Sequence, residues 1–193
     1  MNTKDEAQPS AKKLIIFLDC GDTIIDEGTE IRDEHDIVVQ ADVIPGADRM
    51  VKTLAERGYR LALVADGYAQ SFKNILTQNG LYDDFETMVY SETVKAFKPS
   101  PRMFKAAVGA MDLSERDLPR IVMVGNNLGR DIKGANQMGI TSIFLSWTPR
   151  YPKQPTDESE IPDYTIKEPM DLVDLAERLN ERLEEADLGR MSG

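Results

Sequence analysis

The chain reads as an α/β protein: a three-layer α/β/α sandwich on a mostly parallel, Rossmann-like sheet. Three observations predict this. Short apolar runs rich in β-branched residues recur along the sequence, helix-period segments separate them, and several runs end in acidic or amide residues. An apolar run with no polar alternation suits a strand buried on both faces, as a parallel sheet requires. Strands alternating with helical patterns of this length place helices on both sides of such a sheet.

The elements follow in order. Residues 14–18, Leu-Ile-Ile-Phe-Leu, form the first strand. Ala47, Met50, Val51, Leu54 and Ala55 share one face of a helix that Gly58 stops. Residues 61–65 form the second strand. Phe72, Ile75 and Leu76 mark a second helix closed by Asn79-Gly80. Residues 87–90 form a third strand, and 101–111 a third helix with Ser100 as cap and Pro101 at its first position. Residues 121–124 form the fourth strand, 131–138 a short helix, 141–146 the fifth strand and 164–166 a sixth. Leu172, Ala176, Leu179 and Leu183 give a closing amphipathic helix. Two segments fall outside the alternation. The acidic stretch 26–42 reads as a small hairpin, and 148–162, with four prolines, reads as a surface loop. One domain over 13–185 is expected, with frayed ends at 1–12 and 186–193.

Composition narrows the function. The 193 residues suffice for one domain with a substantial core, and 41% hydrophobic with 30% charged residues is ordinary for a soluble globular protein. A net charge of −11 argues against nucleic-acid and anionic-membrane partners, which are recognised through positive charge. A phosphate ligand would then need a metal or a local cation. A single cysteine excludes an intrachain disulfide and a cysteine-built zinc site. No apolar run approaches membrane-spanning length, and the first thirteen residues lack the apolar centre of a secretory signal. A cytoplasmic protein is expected.

In a parallel sheet the C-terminal ends of the strands converge on one edge, where ligands bind. The first strand here ends at Asp19, followed by Cys20-Gly21-Asp22-Thr23. The second ends at Ala65-Asp66-Gly67 and the fourth at Gly125-Asn126-Asn127, with Asp131 in the next turn. Lys98 follows the third strand in Phe97-Lys98-Pro99. Carboxylate and carbonyl oxygens suit Mg²⁺, and an ammonium supplies the charge that a phosphate needs.

This order of elements resembles the haloacid dehalogenase (HAD) superfamily over nearly the whole chain. The family's first motif, Asp-x-Asp-x-Thr after an apolar strand, corresponds to Asp19 through Thr23. Its Ser/Thr at the end of the next strand corresponds to Ala65. Its Lys-Pro pair corresponds to Lys98-Pro99, and its Gly-Asp with a later Asp to Gly125-Asn126 and Asp131. The segment Val43-Ile44-Pro45-Gly46 before a helix is also similar. The resemblance implies a hydrolase in which Asp19 attacks phosphorus to form an aspartyl-phosphate, Lys98 holds Asp19 and the phosphate, and Asp19, the Gly21 carbonyl, Asn126 and Asp131 bind Mg²⁺. Thr23, Ala65, Asp66, Gly67 and Lys98 would contact the phosphate.

The sequence departs from the pattern at three places. The second Asp of the first motif, the phosphatases' general acid and base, is Gly21, and an acid stands one residue later at Asp22. Ala65 lacks the hydroxyl, and Asn126 lacks the charge. Asp22 is the sequence's candidate to recover proton transfer, with Gly21 permitting an unusual turn. Dehalogenases also lack that second Asp, but they enclose the site with a helical cap, and neither candidate insertion point leaves room for one. An open site is expected, suited to a large substrate such as a protein or polymer end, or to closure by a second subunit in a homodimer; the partners expected are a phosphorylated small molecule or a large phosphorylated substrate.

Other residues have plainer readings. Cys20 packs at the strand end, since its loop carries no arginine of the kind a cysteine phosphatase uses. His35 lies among Asp33, Glu34 and Asp36 and reads as solvated. Trp147, Arg150 and Tyr151 either line the site or pack the loop. Two functional readings follow: a Mg²⁺-dependent phosphohydrolase using Asp19, Asp22 and Lys98, its activity weakened by Gly21; and a non-catalytic relative binding a phosphorylated ligand or partner protein at the same edge.

Overall fold

The first strand alternates between two cores. In β1 (Ile15–Leu18), Ile16 and Leu18 point into one apolar cluster and Ile15 and Phe17 into another. Two neighbours repeat the division: Leu61, Leu63 and Ala65 against Ala62 and Val64 in β4 (Arg60–Ala65), and Val122 and Val124 against Ile121 and Met123 in β6 (Ile121–Gly125). Burial on both faces is why these strands read as continuous apolar runs. Each fully buried Leu, Ile, Val or Phe contributes about 1.5–3 kcal/mol relative to exposure. The structure, a computed structural model, describes residues 12–191. Of the expected frayed N-terminus, residues 1–11 lie outside the described residues.

Helices supply the other side of each core. On one face lie α1 (Ala47–Glu56), α2 (Ala69–Gln78) and α6 (Asp171–Met191), through Met50, Val51 and Leu54, through Phe72, Ile75 and Leu76, and through Leu172 and Ala176. On the other lie α4 (Pro101–Ala110) and α5 (Lys133–Met138), through Met103, Phe104, Ala107 and Ala135. The Ser100 hydroxyl accepts from Arg102 N at the start of α4, as expected for a cap before Pro101. The remaining short helix, α3 (Ser91–Val94), follows the third strand of the alternation directly.

Among the described residues the main sheet has six strands in the order β5 (Thr87–Tyr90), β4, β1, β6, β7 (Thr141–Leu145), β8 (Tyr164–Ile166), and every pairing is parallel. The chain starts in the middle, winds outward through β4 and β5, then crosses to β6 and winds outward the other way. Such reversals open a crevice at the C-terminal strand ends. Here it lies above β1, β4 and β6.

The expected hairpin is present. After a 3₁₀ turn at Glu27–Thr29, β2 (Ile31–Arg32) pairs antiparallel with β3 (Val38–Gln40). Val38 N donates to Ser71 Oγ at 3.0 Å and Asn74 Nδ2 donates to Val38 O at 2.9 Å, which fastens the hairpin to α2. The short helix read over 131–138 begins earlier, as a π-helical turn at Leu128–Ile132 running into α5. The closing helix continues beyond Ala186, through residues set apart above as a frayed end, to Met191. Among the described residues no helix is long and apolar enough to cross a membrane.

Asn180 on α6 is 1% exposed, and its Oδ1 accepts from Lys13 N at 2.8 Å and Leu14 N at 3.1 Å. It thereby satisfies the two backbone donors entering β1. Asn180→Leu keeps the volume but strands both donors, and a buried unpaired donor costs about 1–3 kcal/mol. The urea midpoint should fall accordingly with an unchanged m-value.

Candidate active site

Lys98 organises the strand ends. Its Nζ lies 2.6 Å from Asp19 Oδ1, 2.7 Å from Asp131 Oδ1 and 2.8 Å from Val64 O, joining the ends of β1, β4 and the turn after β6. The lysine is buried, as is Asp131. Burial alone would lower the Lys98 pKa. Asp131, Asp19 and Asp66 outweigh it, so the ammonium is held charged above the ordinary lysine range. Asp131 is pushed up, first by burial and then by Asp19, with Lys98 opposing.

Asp131 reaches this position because residue 125 is glycine. A Cβ at Gly125 would come within 2.2 Å of Asp131 Oδ2. That oxygen accepts from Asn127 N at 3.0 Å, so the π-helical turn fixes the carboxylate. Asp131 Oδ1 has the Lys98 ion pair but no hydrogen bond of good geometry, and the buried Asn126 Nδ2 has no partner. Asp66 Oδ1 accepts from Lys98 N at 3.0 Å; its carboxyl is pushed up by burial, with Lys98 opposing.

A cavity of about 710 Å³ opens above these groups. Its lining includes Asp19, Gly21, Asp66, Gly67, Lys98, Asn126 and Asp131, so most of the sequence-predicted residues meet here. Three do not line it. Ala65 points into the α2 side of the core, because its position in the strand alternates that way. Thr23 is buried, and its Oγ1 donates to Asp19 Oδ2 at 3.4 Å, so it supports Asp19 from within the loop. Asp22 is the largest departure from expectation.

Asp22 is fully buried at a positive φ of 50°. Arg150 Nε donates to its Oδ2 at 2.7 Å, Arg150 Nη2 to its Oδ1 at 2.6 Å, and Glu27 N to Oδ1 at 3.1 Å. Both oxygens are engaged away from the cavity. The left-handed backbone, which Asp tolerates better than most residues, turns the side chain toward the loop after β7. Arg150 also grips Asp26. The place left by Gly21 is filled instead by Glu27, since a Cβ at Gly21 would lie 2.1 Å from Glu27 Oε1.

Of the three residues after the fifth strand, Tyr151 lines the cavity and its hydroxyl donates to Glu27 Oε2 at 2.8 Å, Arg150 forms the clamp, and Trp147 packs on the core. Glu27 is pushed up, chiefly by burial, with Asp22 and Asp19 adding and the Tyr151 bond opposing. Sequence reading missed Glu27, because nothing in an acidic insert marks which acid Arg150 will steer inward. Cys20 is buried and its thiol is pushed up by burial and Asp19, as suits a packing residue. His35 is exposed, as read.

Glu30, Arg32, Asp36 and Val38 of the hairpin segment line one side of the cavity, and Tyr151 another. The strand-end edge expected to be open is therefore flanked by short segments, without a large cap.

This architecture and strand-end set place the chain in a known class. A family model described as haloacid dehalogenase-like hydrolase matches residues 16–145, and the chain belongs to that family. It is 29% identical over 138 residues to a glyceraldehyde 3-phosphate phosphatase of Methanopyrus kandleri, covering 72% of this chain and 56% of the relative. It is 25% identical over 149 residues to haloacetate dehalogenase H-2 of a Moraxella species, covering 77% and 61%. The chain spans about half the length of the curated relatives it matches. Among solved structures, a HAD phosphatase from Thermococcus onnurineus superposes with a TM-score of 0.67 at 18% identity, over 84% of this chain and 97% of the other, and so shares its fold.

Lys98→Met would leave Asp19 and Asp131 buried without their cation. Breaking a buried pair in this way costs about 3–5 kcal/mol. Lys98 opposes the rise of the Asp131 pKa, so without it that carboxyl lies further above its unfolded value and the folded state binds its proton more tightly. The deficit relative to wild type should thus be large near about pH 7 and shrink near about pH 5, as urea unfolding at both would register.

Proposed function

We propose that this chain hydrolyses phosphate monoesters with Asp19 as nucleophile. The observation that carries the reading is the Asp19 carboxylate at the cavity floor, with Lys98 bonded to one oxygen and the Asp131 carboxylate beside it. An Asp19 oxygen attacks phosphorus, and the P–O ester bond breaks with its electron pair leaving on the substrate oxygen. Water then attacks the phosphorus of the aspartyl-phosphate, and the Asp19 carboxylate is released. Lys98 holds Asp19 in place through both steps.

The donors present fit Mg²⁺. Two carboxylates, the Asn126 amide and the Gly21 carbonyl are hard oxygen ligands. Among the described residues no three Asp, Glu, His or Cys side chains gather around one point, so the amide and carbonyl would have to complete the set with Asp19 and Asp131. Asp131 Oδ1 has no partner beyond its Lys98 ion pair, and the Asn126 amide nitrogen is held by no protein partner, so the amide can turn its oxygen to a cation. When bound, Mg²⁺ supplies positive charge against the phosphate oxygens.

A small phosphorylated substrate fits best. The cavity volume of about 710 Å³ lies in the range of small-molecule sites. Its walls mix Val38, Phe72 and Ile75 with Arg32, Lys95 and Arg130, offering an apolar surface and cations within an acidic protein. Relatives named as glyceraldehyde 3-phosphate phosphatases support the same substrate class.

The test is turnover of a panel of phosphate monoesters by wild type and Asp19→Asn with Mg²⁺ and after chelation. Wild type should turn over only with Mg²⁺, and Asp19→Asn should lose about a thousandfold or more of kcat. Turnover surviving in Asp19→Asn would remove Asp19 as nucleophile. Ester binding without turnover in wild type would favour the non-catalytic reading, which rests on Gly21, Ala65 and Asn126.

A further inference from the structure

An alkoxide is a poor leaving group, so cleavage of an ordinary phosphate ester needs a proton delivered to the departing oxygen. The other acids lining the cavity have partners away from Gly21: Asp131 is buried against Lys98, Glu30 and Asp36 pair with Arg32, Glu92 accepts from Ala69 N, and Asp66 accepts from Lys98 N through Oδ1 with Arg130 3.9 Å from Oδ2. Asp22 is clamped by Arg150 outside the cavity. Glu27 differs. Its carboxyl stands against Gly21, two residues from the nucleophile, and the three atoms nearest a Cβ at Gly21 would all belong to Glu27.

Three contacts aim it there. Arg150 holds Asp22 and Asp26 on either side of the turn, Asp22 Oδ1 receives the Glu27 backbone N–H, and the Tyr151 hydroxyl binds Glu27 Oε2. Gly28 leaves room for the clamp, because a Cβ there would lie 2.6 Å from Arg150 Nη1. Glu27 Oε2 is thus anchored, while Oε1 occupies the space beside Gly21.

We propose that Glu27 is the general acid and base of the reaction, with Asp22 and Arg150 as its positioning residues. The inference rests on the Asp19 reading above. As Asp19 attacks, the P–O ester bond breaks and its electron pair goes to the substrate oxygen, which takes the Glu27 proton. In the second step the Glu27 carboxylate takes a proton from water as the water oxygen bonds to phosphorus, and the P–O bond to Asp19 breaks with its pair returning to the carboxylate. Glu27 ends protonated, ready for the next ester.

The experiment compares Glu27→Gln with wild type on glycerol 3-phosphate and p-nitrophenyl phosphate, both with Mg²⁺. Nitrophenolate needs no proton to leave. Glu27→Gln should therefore lose about 10²- to 10⁴-fold in kcat on glycerol 3-phosphate, while first-turnover nitrophenolate release stays within about tenfold of wild type. A slow steady state should follow that burst, since hydrolysis of the aspartyl-phosphate lacks its base. A second variant, Gly21→Asp with Glu27→Ala, returns a carboxylate to the vacated space and should recover turnover of glycerol 3-phosphate relative to Glu27→Ala alone. Equal losses in the first turnover of both esters, no loss on either, or no recovery in the double variant would overturn the assignment of Glu27. Those outcomes, with Asp19→Asn still inactive, leave the nucleophile assignment standing; an active Asp19→Asn, or a wild type without turnover, overturns both.

Discussion

The structure depends on one buried cation. Lys98 satisfies Asp19 from β1, the Val64 carbonyl from β4 and Asp131 from the turn after β6, so three separately formed elements meet on a single ammonium. Each carboxylate would be costly to bury alone. Together with Lys98 they form a cluster of formal charge −1, an arrangement suited to a further cation. The fold and the chemistry share this constraint: the switch in strand order makes the crevice, and Lys98 makes it tolerable to fill that crevice with acids.

Around this centre the loop after β1 is governed from a distance. Arg150, in the segment after β7, grips Asp22 and Asp26, while Tyr151 binds Glu27. The loop that carries Asp19 is thus braced by a segment on the far side of β6. Its geometry comes from an ion pair spanning much of the chain as much as from the local sequence, and the positive φ at Asp22 is compatible with that contact.

This explains which parts of the molecule were legible in the sequence. The strands could be read because burial on both faces leaves an unbroken apolar run, as at Ile15 through Leu18, and because Ser100-Pro101 signals a helix start by a local mechanism. Asp19, Asp66, Lys98, Asn126 and Asp131 could be placed together because strand ends converge in any parallel sheet. Asp22 could not be placed, since its partner lies 128 positions away. Ala65 could not be oriented, since the face a strand residue takes depends on register within the folded sheet. Glu27 sits among several acids of the insert that differ little by sequence and differ sharply once Arg150 and Tyr151 select one.

The reversed order of Gly21 and Asp22 follows from space as much as from charge. A side chain at residue 21 and the Glu27 carboxyl cannot share one volume, because a Cβ at Gly21 would lie 2.1 Å from Oε1, well inside van der Waals contact. An acid at 21 would require Glu27 to leave; Glu27 in place requires glycine at 21. With Glu27 inside, the acid at 22 must be neutralised elsewhere, and Arg150 does this with two donors. Gly21, Asp22, Glu27 and Arg150 therefore form one connected arrangement: Arg150 holds Asp22, Asp22 holds the Glu27 backbone, and the Glu27 carboxyl fills the space beside Gly21.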